Sequence, residues 1–517
     1  MIRRFLTVGG LTLLSRATGF VRDVMLAAIL GAGPIADAFF VALRLPNHFR
    51  AIFAEGAFNA AFVPSYARIR QQGGPDPAGL FADRVFTLLF ASQLVLLAVA
   101  LIFTPQVISL LAPGFRQDPD RYTLAVELTR ITFPYLLLVT LVTLYGGILN
   151  ALHRFAAAAA APILLNISMM VALALAALFP TAGHAAAWGV LAAGVLEFML
   201  LAGDATRAGV LPRFRRIVFD ADVKQFFRAL GPATIGSAGV QLALFADTMI
   251  ATFLSAGALS ALYYADRLNQ LPIGVIGIAA GTVLLPELAR RISSGDQAGA
   301  HDAQNRAIEL TLLLSIPCFV AFLLVPELIM RALFARGAFT QADAAAAGQT
   351  LAAYALGLFP FVLIRSVVAA FFARGDTATP VKASLTAVAV NIALKIVLVG
   401  SLAQVGLALA TSAGAWINLG LVTWFGLRSG LISFDARLRH SLPRFAMAGM
   451  GLGLALWGGR ELLTAALAGV PVLREEIILA MLVLIGAVVY GGLVMALFRR
   501  RWFAAFAPVR KAASNRV

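Results

Sequence analysis

Hydrophobic residues run along this chain in long blocks. Each block holds roughly 20 apolar residues, the length a helix needs to cross the hydrocarbon of a bilayer. Short breaks of Gly, Pro or charge separate them. The blocks predict about fourteen spans, at 5–30, 35–66, 83–111, 124–150, 158–180, 185–206, 226–255, 259–289, 307–334, 343–373, 380–402, 405–427, 441–468 and 477–498. Several exceed the bilayer's thickness and must tilt, kink or protrude. The predicted fold is an all-α polytopic membrane protein.

Composition agrees with the pattern. Of 517 residues, 61% are hydrophobic and 13% charged, against about 45–50% and about 25% in soluble domains. The first block, "MIRRFLTVGGLTLLSRATGF", has the basic start of a secretory signal. Arg16 and Arg22 interrupt its apolar run, and no small-residue cleavage site precedes them, so it reads as a retained helix. The single cysteine, Cys318, can form no internal disulfide and reads as core filling.

The net charge of +16 would suggest a nucleic-acid partner in a soluble protein. Topology accounts for it here. With both termini cytoplasmic, 27 of the 41 Lys and Arg fall on the cytoplasmic side and 7 on the other. That is the positive-inside bias of an even number of spans, and no nucleic-acid partner is expected. Seven cations remain inside the spans: Arg16, Arg22, Arg44, Arg50, Arg267, Arg365 and Lys395. Each costs about 2.5–3.5 kcal/mol near the bilayer centre unless it meets water or a counter-ion. Arg44 and Lys395 have snorkelling to an interface as an alternative.

The chain also repeats itself. "FVRDVMLAAILGAGPIADAFFVALRLPN", from residue 20, lies over "LFADTMIATFLSAGALSALYYADRLNQLP", from residue 244, with Asp23 over Asp247. Further on, "FVPSYARI" lies over "LLPELARRI", and "LHRFAAAAAAP" (152–162) over "FFARGDTATP" (371–380). Two copies of six helices follow, with helices thirteen and fourteen outside the repeat. The domains read as 1–220, 221–430 and 431–517. An even number of helices per copy puts the repeat axis along the membrane normal, an architecture that suits alternating access better than a pore.

Chemistry concentrates in the first helices of each copy. Asp23, Asp37 and Glu55 lie near Arg16, Arg22, Arg44 and Arg50, and Asp266 adjoins Arg267. Gly19, Pro46 and Gly56 can bend their helices and free backbone groups toward a hydrated cavity. Guanidinium forks match phosphate in bidentate fashion, so several around one cavity suit a diphosphate and repel an organic cation. The alternative is that these arginines only pair with the neighbouring acids and lock the lobes. The five histidines have no metal-ligand spacing, and no Walker A sequence occurs. No metal, cofactor or catalytic residue is expected.

Eight phrases in order now carry a resemblance: "SRATGFVRD", "GAGPIADAFFVALRLPN", "IFAEGAFNAAFVP", "ITFPYLLL", "GGILNALHRF", "YYADRLNQLP", "GTVLLPELAR" and "TPVKAS". Together they resemble the MurJ (MviN) family of lipid II flippases, in the multidrug/oligosaccharidyl-lipid/polysaccharide exporter superfamily. The resemblance implies a fourteen-helix bacterial inner-membrane protein with two lobes and a cationic cavity. Its last two helices would border a groove for a polyprenyl tail. Its substrate would be undecaprenyl diphosphate carrying a disaccharide-pentapeptide, moved from the cytoplasmic to the periplasmic leaflet for peptidoglycan synthesis. Membrane lipids and cell-wall synthesis proteins would be its other partners.

By motif position the resemblance puts substrate-binding roles on Arg16, Arg22, Asp37, Arg50 and Arg267. Ser15, Asp23, Arg44, Glu55, Asp266 and Gln270 are supporting cavity residues. Gln270 stands where relatives often carry a glutamate. Lys395, one turn after Asn391, stands near an acid that some relatives use, with one in helix seven, to hold sodium. An Asp247–Lys395 pair is expected to replace that ion. Other readings are a polysaccharide-unit flippase, a multidrug antiporter, which would want acidic cavity walls, and a non-transporting scaffold of the cell-wall machinery. Membrane potential, protons and sodium are all candidate drives.

Overall fold

The computed structural model describes residues 2–50, 56–470 and 472–498, and all regular elements among them are helical. Contacts divide the chain into two compact units, one of residues 1–261 with 334–343, the other of 262–333 with 344–517.

The first unit contains α1 (Ile2–Leu30), α2 (Pro34–Arg50), α3 (Gly56–Gly73), α4 (Pro75–Ile102), α5 (Thr104–Leu111), α6 (Pro119–Thr132), α7 (Pro134–Ala151), α8 (Ala156–Ala174), α9 (Ala182–Arg207) and α10 (Ala221–Ala251). Helix α11 (Ala258–Pro272) begins in this unit and continues into the second. After a π turn at Ile273–Gly277 come α12 (Ile278–Ser293), α13 (Gln297–Leu324), α14 (Pro326–Phe334), α15 (Gln341–Ala355), α16 (Leu358–Phe372), α17 (Ala378–Arg428), α18 (Ala436–Ala466) and α19 (Arg474–Leu497).

Among the described residues, every block of the apolar pattern falls mainly on helix, and several overlong ones are broken. The block 83–111 becomes α4 and α5, and 124–150 becomes α6 and α7. Likewise 307–334 divides into α13 and α14, and 343–373 into α15 and α16. Proline opens α6, α7 and α14 and follows the first residue of α5. It lacks the N–H that a preceding turn would need, and its φ suits a first turn. The blocks 380–402 and 405–427 meet at Ala403, whose φ of 47° interrupts α17.

Eight helical stretches among the described residues pass a test of length and apolarity for crossing a membrane. Helix α1 is outside that set because Arg16, Arg22 and Asp23 sit in it. It nevertheless runs unbroken from Ile2 to Leu30, with no bend at Gly19. Side-chain carboxylates or hydroxyls cap several helices: Asp118 accepts from the Arg121 N–H, Thr181 from His184, Asp220 from Val223 and Asp435 from Leu438. The first unit's core includes an aromatic stack in which Phe62 of α3 meets Phe58, Phe81 of α4 and Phe226 of α10, with ring centroids 5.1 to 6.2 Å apart. It packs α3, α4 and α10 against one another.

Candidate functional site

Helix α1 presents two kinds of arginine. Arg16 is exposed and Ser15 half-buried. Arg22 and Asp23, six and seven residues later and so about two helical turns away, are buried, 6% and 3% exposed. Adjacent helical residues diverge by about 100°, yet the long Arg22 side chain folds back. Its Nε and Nη2 donate to Asp23 Oδ1 at 3.0 and 2.7 Å. Its Nη1 donates to Asn166 Oδ1 of α8 at 2.9 Å. The Asn166 amide then donates to the Ser15 carbonyl and to Thr18 Oγ1, each at 3.0 Å. Three polar groups of α1 thereby converge on one asparagine. Gly19 lies against the same side chain, where a Cβ would meet Asn166 Nδ2 at 3.4 Å, an ordinary van der Waals contact.

Asp37, in the first turn of α2, is 1% exposed. Its Oδ2 accepts from the Gly257 N–H at 2.8 Å. Its Oδ1 accepts from the Ser260 N–H at 2.9 Å and the Ser260 hydroxyl at 2.6 Å. Those donors open α11, so a carboxylate sits at the positive end of that helix. Arg121 Nη1 is 3.8 Å from the same carboxylate, and its Nη2 donates to the Thr252 carbonyl at 3.2 Å. The guanidinium also rests on Phe115, 4.1 Å from the ring centroid. Asp37 therefore clasps the turn before α11, and its lone pairs are occupied.

Arg44, on α2, is half-buried and donates to Thr248 Oγ1 of α10 at 2.9 Å. Arg50, at the end of α2, is half-buried beside a carboxylate that the sequence reading passed over. This is Glu197, in the middle of α9 and 3% exposed, which accepts a hydrogen bond from Tyr135 and faces the Arg50 charge. Glu55 lies outside the described residues. Asp247 is half-buried on α10.

In the second unit, Arg267 is half-buried over the Tyr263 ring at 5.5 Å, one turn back on α11. Asp266 accepts from the Gln270 amide at 2.5 Å, one turn further along α11. Asn391 is half-buried and Lys395 only 2% exposed on α17, so Lys395 does not snorkel. Arg365 of α16 lies along the π turn, with its Cδ 3.1 Å from where a Gly277 Cβ would be.

A second charged cluster has no counterpart in the sequence reading. Glu309 of α13 is fully buried. It pairs with Arg306 at 2.5 Å and Arg437 at 3.4 Å, and accepts from the Ser441 hydroxyl at 2.6 Å. Arg306 also pairs with Asp302 and Asp435. It joins α13 to α18. Among the described residues, no group of three or more His, Cys, Asp or Glu could hold a metal ion.

Guanidinium groups of this kind can pair with anionic groups. The first unit carries exposed Arg16, half-buried Arg44 and Arg50 and the buried Arg22–Asp23 pair, and the second carries half-buried Arg267. Comparisons with known proteins bear on what such a site serves. A family model described as lipid II flippase MurJ matches residues 26–474. A probable lipid II flippase MurJ of Rhizobium meliloti (strain 1021) is 42% identical over 462 residues, 88% of this chain and 86% of the relative. The lipid II flippase MurJ of Burkholderia cenocepacia is 33% identical over 513 residues, 97% of this chain and 99% of that one. Among solved structures, a lipid II flippase MurJ in an inward closed conformation superposes with a TM-score of 0.80 at 24% identity, covering 95% of this chain and 98% of that one. An inward-facing multidrug resistance MATE transporter of the MOP superfamily gives 0.66 at 15% identity, covering 80% and 95%. At these identities the two structures speak for the fold alone.

Proposed function

The chain belongs to the MurJ family of lipid II flippases, and from that premise we propose how its own residues move the substrate. The chain is a lipid flippase, a transporter and not an enzyme. It moves lipid II across the membrane by alternating access. The match over residues 26–474, through all of the arginine-bearing motifs except Arg16 and Arg22, carries this reading.

The membrane is the bacterial inner membrane, with both termini cytoplasmic, a reading supported by the distribution of Lys and Arg. A bare diphosphate in hydrocarbon would cost far more than thermal energy supplies. Arg16, Arg50 and Arg267 take up that charge, with Arg44 beside them. Exposure of Arg16 and partial exposure of the other three support this role. Arg22 acts from within its pair. Through Asn166 it holds α1, the helix that presents Arg16, to α8. Asp37 keeps α2 attached to the start of α11 in this state. The polyprenyl tail stays in the bilayer along the last two helices. Lys395 takes the place of an ion, so that transport continues with sodium replaced by choline.

The test is complementation and headgroup translocation in cells depleted of their own flippase. Arg16→Ala, Arg50→Ala and Arg267→Ala are expected to abolish growth at unchanged surface level. Full growth from all three would overturn the assignment of charge neutralisation to these residues. A chain that moves no lipid II even with its native sequence would overturn the function.

A further inference from the structure

Residues 210–220 join α9 to α10 without forming helix or strand. They do not hang free. The Arg213 N–H donates to Asp83 Oδ1 at 2.7 Å and the Arg215 N–H to Thr87 Oγ1 at 3.0 Å. Asp83 and Thr87 are one turn apart on α4, so the segment runs extended along that helix. Phe214, between the two ties, contacts Phe86 and Phe90 with centroids 4.9 and 5.1 Å away. Asp220 closes the segment by pairing with Arg84 of α4 and capping α10.

Its outer face combines two chemistries. Phe214, Ile217 and Phe219 are 63%, 45% and 53% exposed, and Leu211 and Val218 are exposed as well. Arg213, Arg215 and Arg216 are exposed between them. Water is a poor partner for those apolar groups, and five in nine residues is more than the scatter of single apolar residues usual on a surface. Depth along α4 resolves the conflict. The exposed apolar band of α4 begins at Leu94 and Val95, seven or eight residues beyond Thr87 and so about 10–12 Å further along the axis. The segment therefore lies one headgroup layer outside the hydrocarbon. Side chains there can place rings and aliphatic groups at the acyl boundary while guanidinium groups meet phosphates. Arg84 answers Asp220 and the Arg215 guanidinium lies 3.4 Å from Asp83, so two carboxylates face four guanidinium groups and the surface keeps a net positive charge.

We propose that residues 211–219 form an interfacial site selective for anionic phospholipid headgroups of the leaflet that faces the cytoplasmic ends of α4 and α9. The apolar side chains set its depth. Arg213, Arg215 and Arg216 set its preference for negative charge. Their backbone ties to Asp83 and Thr87 keep the segment extended, so substituting the guanidinium groups leaves its course intact.

The test uses the full chain with its sole cysteine replaced, Cys318→Ala, and a fluorophore on Ile217→Cys. The protein is reconstituted in vesicles of equal phosphatidylcholine and phosphatidylglycerol, and only the identity of the lipid carrying acyl-chain bromine is changed. Brominated phosphatidylglycerol is expected to quench at a mole fraction about fivefold lower than brominated phosphatidylcholine, the enrichment that one basic residue near an anionic surface gives. Added salt should shrink the difference. With Arg213→Gln, Arg215→Gln and Arg216→Gln combined, the two lipids should quench alike. A label at Val95→Cys, in the apolar band of α4, should be quenched by both lipids alike in either background and reports that the protein is inserted and folded. Equal quenching at residue 217 in the parent overturns the proposal. So does absence of quenching by either lipid, which would mean that water or another protein covers the segment. A preference that survives removal of the three guanidinium groups overturns it as well.

Discussion

Asp23→Asn separates the two things Arg22 can do. In the parent, the Arg22 and Asp23 side chains are 7% and 5% exposed and joined at 2.7 Å. Removing one partner of a buried ion pair typically costs about 3–5 kcal/mol, because the other charge stays desolvated. Two features lower that figure here. Asn166 still accepts from Nη1 at 2.9 Å, and an asparagine at position 23 keeps one acceptor oxygen. A loss of about 2–3 kcal/mol is expected once these bonds to a charged donor, ~1.5–3 kcal/mol each, are credited. Replacing both charges, Arg22→Met with Asp23→Leu, removes the desolvation penalty as well as the attraction, and such exchanges are often neutral for folding. Thermal denaturation of the detergent-solubilised full chain should therefore order the proteins as parent and double variant together, Asp23→Asn clearly below. Complementation should order them differently, with the double variant folded and present but inactive, because the Arg22 tie to Asn166 that sets α1 against α8 is gone. A single variant that melts with the parent, or a double variant that falls as far as the single, would refute the buried-pair argument. A double variant that supports full growth would refute the functional part alone.

Other outcomes follow from the same geometry. Glu197→Gln keeps an acceptor for Tyr135 but removes the charge facing Arg50. Lipid II translocation should fall about tenfold, as for loss of one charge-assisted contact of ~1.5 kcal/mol, with Glu197→Asp recovering part of it in the same cells. Asp37→Asn places an amide donor where Gly257 and Ser260 donate. Hydrogen exchange at those two amides should speed up by about tenfold or more, consistent with ~1–3 kcal/mol for a mismatched buried group, and unchanged exchange would count against the clasp. Asp376, in the turn before α17, accepts from the Thr379 N–H at 3.0 Å, which holds its carboxyl below the ordinary Asp range. A depressed folded value contributes stability above the unfolded pKa of about 3.9. That contribution is lost as pH falls through the folded value, so acid melting curves of the parent and Asp376→Asn should converge below about pH 4.

The helices were legible because hydrocarbon imposes one simple rule on sequence: about 20 apolar residues must appear wherever the chain crosses. The breaks at Pro134 and Pro326 were legible for a similar reason, since proline carries its conformational consequence with it. The interior of the site was less so. Glu197 sits in an apolar block with no charged neighbour of opposite sign beside it in sequence, and its partners come from other helices; Glu309 adds Arg437 and Ser441 of α18 to Arg306 of its own helix. Asn166 is a neutral residue in the run "PILLNISMM", yet it joins Arg22, Ser15 and Thr18 through three hydrogen bonds. The signal that could have found it was chemical rather than periodic: an amide in a lipid-depth helix needs a donor and an acceptor from somewhere, and α1 is rich in both.

That difference has a functional meaning. Charges read from the sequence looked alike, a set of arginines at one depth. The fold sorts them by what surrounds them. Arg22 has three of its N–H groups bound within the first unit, and Arg121, counted among the outward loop charges, is 5% exposed beside Asp37. Arg16 is left exposed six residues from Arg22 on the same helix. A flippase needs both kinds. On the proposed reading, anchored guanidinium groups, neutralised by their carboxylates, keep the helices in register. Exposed ones must bind a diphosphate and then release it, which a guanidinium already saturated by buried carboxylate and amide oxygens cannot do on the timescale of a cycle.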